Sequence, residues 1–198
     1  ITYLDRVCMN VVSKYVKADL QLDNPQFGYI LGAFSLAYAF FELPTGVLGD
    51  IIGPRKVLPR VVVWWSGFTA LTGSAFNFSY LLIVRFLFGV GEAGAYPNSS
   101  IAIARWFPAD ELGRAQAAIW SAARIGGALT PLLVIPLVHS VGWRYAFVVL
   151  GGIGTIWALA WYFWFRDEPA EKTGITEEEI TEIETTRKVT LYHRIDWK

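Results

Sequence analysis

Ionisable side chains lie inside stretches of this sequence that are otherwise apolar and close to 20 residues long, about the length of helix that crosses a bilayer. A charge at the centre of such a helix costs at least about 2.5–3.5 kcal/mol, so each of these side chains is expected to face other helices or a wet cavity. Carboxyl groups can exchange protons there, and arginines can bind anions. The group comprises Asp5, Arg6, Arg85, Glu92 and Arg124. Glu42, beside Pro44, is a weaker case.

Arg85 and Glu92 are seven residues apart, almost two helical turns, so they project from one face of a helix at depths that differ by about 10 Å. The small residues around Glu92, in the run GVGEAGA, let a neighbouring backbone approach and shield the carboxylate from lipid. Buried carboxyl groups can take up and release protons near neutral pH. The alternatives are a permanent ion pair between helices for Glu92 and extension to the membrane surface for Arg85. Pro97 is expected to bend the same helix.

The other three charges each need a partner of their own. Asp5 and Arg6 point about 100° apart around a helix; Asp5 is a candidate for proton exchange, and Arg6 for binding a carboxylate or a ligand. The alternative is a ladder of ion pairs that only holds helices together. Arg124 lies about 16 Å into its stretch by helical rise, where it requires a buried carboxylate or a substrate anion. Tyr38 and Tyr96 either donate hydroxyl groups to a ligand or pack.

The composition favours a membrane protein. Hydrophobic residues make up 54% and charged residues 17% of the chain, against roughly 45–50% and 25% in soluble proteins. The net charge of zero gives no bulk affinity for nucleic acid. The single cysteine excludes an internal disulfide framework. No nucleophile–base pair, metal cluster or phosphate-binding loop is evident in the sequence, so neither an enzyme nor a bound cofactor is expected.

The apolar stretches predict an all-α membrane fold with six transmembrane helices. The first stretch is too short to cross a bilayer alone, so we expect the chain to begin within its first crossing. The links are short and rich in turn-forming residues, which indicates antiparallel neighbours. The predicted helices cover residues 1–16, 27–48, 57–76, 80–104, 113–138 and 144–165, and a polar tail covers 166–198.

Basic residues in the links predict the orientation, because cationic loops stay in the cytoplasm. We therefore expect a multi-pass protein of the cell membrane with a cytoplasmic tail. In that tail, the run TEEE at 176–179 predicts the start of a helix by a capping box. The tail is expected to pack on the membrane surface or the bundle, or to be a flexible acidic linker. The basic residues of the predicted cytoplasmic side are Arg55, Lys56, Arg60, Arg105, Arg114 and Arg166, against Lys14, Lys17 and Arg144 on the other.

The link after the second stretch carries a recognisable pattern, comprising Gly46, Leu48, Asp50, Gly53, Arg55 and Lys56. This spacing resembles the signature of the major facilitator superfamily. Ile51 stands where that family often has arginine, so part of its charge-relay lock differs here. Further segments resemble the anion:cation symporter branch, which contains sugar-acid, phthalate, vesicular glutamate and sialate carriers. They are YLDR at 3–6, RFLFGVGEAGAYP at 85–97, RWFP at 105–108 and GWRYAF at 142–147.

The resemblance implies two inverted three-helix repeats that form the amino-terminal half of a carrier, with the substrate site shared with a second six-helix half absent here. It implies that Asp5 and Glu92 are protonation sites, that Arg6 and Arg85 are their partners or substrate contacts, and that Tyr38 contacts the ligand. Some sugar-acid carriers have a neutral polar residue at position 124, so Arg124 indicates a more highly charged or differently shaped anion. The resemblance also implies that the link with the signature residues, 46–56, acts as a conformational switch.

These observations predict proton-coupled symport of a small organic anion, a sugar acid or another carboxylate, by alternating access. Two alternatives stay open. One is an anion exchanger or exporter in which Glu92 is structural, and the other is a membrane sensor, scaffold or inactive half-transporter.

Overall fold

The computed structural model describes residues 2–191 of the 198-residue chain, with side chains described as far as residue 185. The first residue of the predicted first helix and the last seven residues of the predicted tail therefore lie outside the described part. All regular secondary structure within 2–191 is helical. The helices are α1 (Thr2–Val11), α2 (Ser13–Leu20), α3 (Asn24–Ile52), α4 (Pro54–Thr72), α5 (Phe78–Glu92), α6 (Ala95–Trp106), α7 (Leu112–Trp164) and α8 (Glu177–Leu191), with a 3-10 turn at Pro169–Glu171.

Three helical stretches of the described chain are long and apolar enough to cross a membrane: Asn24–Ile52, Phe78–Trp106 and Leu112–Trp164. Large apolar side chains cover their outer faces; Phe40 and Leu132, for example, are each 70% exposed. A continuous surface of this kind suits lipid rather than water. The predicted all-α membrane class is confirmed.

Side-chain caps fix where several helices begin. Asp23 accepts a hydrogen bond from the amide of Gln26 at 2.7 Å, and Gln26 accepts one from the amide of Asp23 at 3.1 Å, a capping box that starts α3. Asn77 accepts a hydrogen bond from the amide of Tyr80 at 2.8 Å and starts α5 in the same manner. The predicted capping box of Thr176 with Glu179 is present at the start of α8.

A single residue, Gly53, separates α3 from α4. Its φ of +86° lies in the left-handed region that favours glycine, and the carboxylate of Asp167 leaves no room for a side chain there. The amide of Gly53 donates to the carbonyl of Gly49 at 3.0 Å, and the amide of Val57 to the carbonyl of Gly53 at 3.1 Å. Helical hydrogen bonding thus continues through most of the link expected at 49–56.

The long helix α7 contains two arms that meet at Gly142, where φ is +82° and ψ is 160°. Ile119 before the turn and Trp161 after it line one crevice of about 360 Å³. Because Ile119 and Trp161 lie beside the same crevice, the two arms must run antiparallel. The arms are residues 112–141 and 143–164. One glycine therefore makes the turn for which a link over 139–143 was predicted.

The helical run Phe78–Trp106 is interrupted at Ala93 and Gly94, directly after Glu92. Pro97 lacks the amide hydrogen that would bond the carbonyl of Ala93, four residues earlier. Ala93 (φ −54°, ψ −30°) and Gly94 (φ −77°, ψ −9°) nonetheless keep right-handed helical dihedral angles, so the bend expected from Pro97 stays a prediction.

Two groups of buried apolar side chains hold the helices together. One includes Met9, Ile30, Leu81 and Phe147, and the other includes Val62, Trp65 and Phe88. Along α5, Leu81 belongs to the first group and Phe88 to the second, and Arg85 lies between them in sequence. Arg85, one of the charged positions that the sequence singled out, is therefore buried between the two apolar groups along α5.

Candidate functional site

Glu92 of α5 forms an ion pair with Arg6 of α1. The Arg6 Nε donates to the Glu92 Oε1 at 2.9 Å. The Glu92 side chain is fully buried, whereas that of Arg6 is 23% exposed. Glu92 Oε2 and one terminal nitrogen of Arg6 are buried without a hydrogen-bond partner among the described residues. The pair is therefore incompletely satisfied, and its arginine is reachable from outside the bundle.

Arg85 is held mainly by aromatic rings. Its side chain is 1% exposed, so it does not extend to the membrane surface. The guanidinium carbon lies 4.2 Å from the ring centroid of Phe88 and 5.4 Å from that of Phe34. Within the described residues, no carboxylate oxygen lies within 4.0 Å of it, and its Nε has no partner. Arg85 is thus a buried cation close to two acids without being directly bonded to either.

Asp5 is buried one helical residue before Arg6, with 2% of its surface exposed. Its Oδ1 has no hydrogen-bond partner in the described part of the chain, and neither does the indole nitrogen of the buried Trp65 on α4. Asp5 and Arg85 are near enough to interact electrostatically. The structure therefore collects Asp5, Arg6, Arg85 and Glu92, four predicted site residues, into one buried cluster.

Tyr38 joins this cluster through the face of its ring, which lies 4.4 Å from the guanidinium carbon of Arg6. Its hydroxyl donates to Glu42 Oε1 at 3.4 Å. Tyr96 instead stacks on Trp120, with ring centroids 4.6 Å apart, and its hydroxyl is buried without a partner among the described groups. Tyr38 is therefore a direct neighbour of the ion pair, and Tyr96 packs between α6 and α7.

Close helix packing around Glu92 depends on the small residues noted in the sequence. A Cβ atom added at Gly89 would lie 2.6 Å from the carbonyl oxygen of Phe34, so α3 and α5 touch through their backbones. A Cβ atom at Gly91 would meet the Trp64 side chain, and one at Gly94 would meet the side chains of Val61 and Thr45. These contacts place Glu92 against protein rather than lipid.

Arg124 lies apart from the cluster, on an exposed face of α7. No carboxylate oxygen of the described residues lies within 4.0 Å of its guanidinium. One turn later, Gly127 packs against Tyr3 of α1, so Arg124 stands beside the helix that carries Asp5 and Arg6. Arg124 was expected to need either a buried carboxylate or a substrate anion as its partner. The described residues do not supply the carboxylate.

The signature residues surround the turn at Gly53. The backbone amide of Arg55 donates to Asp167 Oδ1 at 2.8 Å, and Arg105 lies 3.7 Å from the same carboxylate oxygen. Gly46 packs on Pro97. Asp50 and Lys56 are exposed. The link thus joins α3, α4 and α6 to the segment after α7 through Asp167.

Several residues of the site were missed by sequence reasoning. The rings of Phe34 and Phe88 contact the arginines, but phenylalanine is common in any apolar helix and gives no signal. The buried Asn98 donates to the carbonyl oxygens of Thr45 at 3.1 Å and Gly94 at 2.8 Å. Its position within an apolar helix was the available signal, because a buried amide needs partners.

The cluster can exchange protons and bind an anion, because it combines two buried acids with two arginines. The described residues contain no group of three His, Cys, Asp or Glu side chains that could hold a metal ion. A helical membrane bundle with such a cluster has the architecture of a secondary transporter.

Comparison with known proteins defines the family. The chain belongs to the Major Facilitator Superfamily, whose sequence profile matches residues 1–194, and the expected family is thereby confirmed. It is 38% identical to a probable sulfoacetate transporter of Cupriavidus necator, covering 92% of this chain and 43% of that protein. It is 35% identical to a probable L-galactonate transporter of Escherichia coli, covering 89% and 39%, and 33% identical to a hexuronate transporter of Bacillus subtilis, covering 86% and 40%.

Solved structures show the same fold. The inward-facing, occupied crystal structure of a bacterial homolog of the human lysosomal transporter Spinster matches with a TM-score of 0.70 and 24% identity, over 85% of this chain and 42% of that one. The chain thus spans about two fifths of the length of these relatives. It is a multi-pass membrane protein of a transporter family, not an enzyme.

Proposed function

We propose that this chain is the amino-terminal half of a carrier that moves a small organic anion together with protons across the cell membrane by alternating access. The second six-helix half would complete the substrate site, and the segment after α7 would lie in the cytoplasm. The observation that carries the proposal is the ion pair between the fully buried Glu92 and the partly exposed Arg6.

Proton binding at Glu92 would remove the negative charge that holds Arg6. Arg6 would then be free to bind a substrate carboxylate or sulfonate, so that anion and proton enter the same state of the carrier. Asp5, with an oxygen that has no partner among the described residues, provides a second protonation site. The named substrates of the relatives, sulfoacetate, L-galactonate and hexuronate, all carry such an anionic group. Arg124 and Tyr38 are proposed as further substrate contacts, and residues 46–56 as the switch between conformations.

The test is accumulation in liposomes containing the full-length protein, with sulfoacetate, L-galactonate, galacturonate and galactarate as labelled probes. An acidic exterior should drive uptake of at least one probe, and Glu92→Gln should abolish it because the coupling group can no longer exchange a proton. Glu111→Gln, a change at an exposed acid in the link before α7, is the matched control and should accumulate normally. Normal pH-driven accumulation by Glu92→Gln would remove Glu92 from the coupling role.

Anion exchange is the second candidate, because a substrate carboxylate could displace Glu92 from Arg6 without a proton. Proton uptake that depends on substrate separates the two. Symport predicts that adding the anion alkalinises a weakly buffered exterior, whereas exchange predicts counterflow with no such change.

A further inference from the structure

One aromatic ring of α3 contacts the guanidinium groups of both arginines in the cluster. The ring centroid of Phe34 lies 5.2 Å from the guanidinium carbon of Arg6 and 5.4 Å from that of Arg85. Both distances fall within the roughly 6 Å range of cation–π attraction. Each arginine also has a closer ring of its own, Tyr38 at 4.4 Å for Arg6 and Phe88 at 4.2 Å for Arg85. Among the described residues, Phe34 is the ring that the two cations share.

The two arginines differ in their acidic partners. Arg6 pairs with Glu92 at 2.9 Å, whereas Arg85 has no carboxylate oxygen within 4.0 Å among the described residues. A buried cation without a bonded counter-ion is costly, and the faces of Phe34 and Phe88 offset part of that cost. The attraction of a ring for a cation comes from its quadrupole, which does not change when a nearby carboxyl group binds a proton.

This independence matters when Glu92 becomes neutral. Arg6 then loses its ion-pair partner, whereas the attraction of the Phe34 ring for both arginines is unchanged. Among the described residues, the charged or titratable groups around this ring and its two arginines are Tyr3, Asp5, Arg6 and Cys8 of α1, Tyr38 and Glu42 of α3, Arg85 and Glu92 of α5, and Tyr96 of α6.

We infer that Phe34 is a positioning residue that holds Arg6 and Arg85 side by side as an anion-receiving pair while Glu92 is protonated. The inference rests on the proposed function, in which a substrate carboxylate or sulfonate replaces Glu92 as the partner of Arg6. Phe34 does not itself touch the transported proton. It keeps the arginines in place in the one state of the cycle in which their acidic partner is uncharged.

Fluorination of the ring tests this role, because each fluorine weakens the negative ring face while nearly preserving its size. In the full-length protein, Phe34 is replaced by phenylalanine carrying one, two or three fluorines. The KM of the anion that the protein accumulates should rise stepwise, to about tenfold with three fluorines, with a smaller change in the maximal rate. Phe147 is the matched control, since it is fully buried and packs edge-on against Trp143. The same series there should leave KM unchanged.

Conservative variants and pH sharpen the result. Phe34→Tyr retains the ring face and should stay close to the wild-type KM, whereas Phe34→Leu should lose affinity for the anion. The loss should be greater at acidic than at alkaline pH, because at alkaline pH a charged Glu92 still holds Arg6. A KM that does not follow the number of fluorines, or that shifts equally in the Phe147 series, would overturn the inference.

Failure of the proposed function is distinguishable from failure of this inference. If the full-length protein transports none of the probes, the function is wrong, and the thermal midpoints of the same fluorinated proteins still test the ring. A stepwise fall of the thermal midpoint with fluorination at position 34, absent at position 147, supports the inference that Phe34 holds both arginines. Equal shifts in both series contradict it.

Discussion

Arg144 and Arg85 are both held between helices, but their partners differ. Arg144 lies at the end of the bundle marked by Gly142, where it donates to the carbonyl oxygens of Gly73 at 3.1 Å and Ala75 and binds Asp19 Oδ2 at 2.8 Å. Arg85 lies in the interior at 1% exposure, beside two rings and without a bonded acid in the described chain. The better-solvated arginine therefore has the more complete set of partners.

This difference is the one expected between a structural arrangement and a functional one. Arg144 ties α2, the end of α4 and the second arm of α7 together, and its hydrogen bonds leave little to gain from any further ligand. Arg85 sits where an unbonded group is most costly, together with unpartnered atoms of Asp5, Arg6 and Glu92. Natural sequences accept such local conflicts chiefly at functional sites. Substitutions at the two positions should consequently have opposite effects on transport and stability.

The largest effect is expected from Arg85→Met in the full-length protein. Removing the cation from the cluster should lower uptake at least about 100-fold, since the buried acids lose a positive neighbour and the anion site loses a charge. Thermal stability should stay level or rise, because an apolar side chain of similar length replaces a buried charge without a bonded acid. Uptake and thermal unfolding measured on one preparation check both parts. Uptake at the wild-type rate, or a large fall in the thermal midpoint, would contradict the contrast drawn between Arg85 and Arg144.

Arg144→Met should show the reverse pattern. Loss of its hydrogen bonds and ion pair is expected to destabilise the protein by about 2 kcal/mol, while the KM of the accumulated anion stays unchanged. Arg114→Met, a change at an exposed arginine near the start of α7, serves as the control and should leave the thermal midpoint in place. A raised KM in Arg144→Met with no loss of stability would place this residue on the functional side instead.

A smaller effect is expected from Gly53→Ala, which extends the comparison to the backbone. The positive φ of this turn disfavours alanine by about 1–2 kcal/mol, and Asp167 must also shift. Gly28→Ala is the matched control, because Gly28 lies inside α3 with open space around it, where alanine should be neutral or stabilising by up to about 1 kcal/mol. Thermal unfolding of the two variants gives the measurement. Equal thermal midpoints in the two variants would contradict the strain expected for alanine at the Gly53 turn.

Local features of the fold could be predicted from sequence because they depend on neighbours in the chain. The capping box of Thr176 with Glu179 that starts α8 and the burial of Glu92 among small residues both follow from short patterns. The links at Gly53 and Gly142 were predicted too long, because charged and turn-forming residues mark a boundary without showing that helical hydrogen bonds continue through it.

The pairing within the cluster could not be predicted in the same way. The sequence shows that Arg6 and Glu92 each need a partner, but they are 86 residues apart, and only the tertiary fold, in which α1 packs mainly on α7, brings them together. Phe34 gave no signal, since its role follows from the two cations it meets. The roles assigned to the individual site residues stay predictions, and Arg124 stays a proposed substrate contact.

Ala93 and Gly94 connect α5 to α6 immediately beside Glu92, and both keep right-handed helical φ and ψ. From that connection, α6 extends about 20 Å to Trp106 at helical rise. A rotation of about 10° there would displace the far end of the helix by about 3–4 Å. If a change of charge at Glu92 rotated α6 at this connection, the far end of the helix would therefore move much further than the carboxyl group itself.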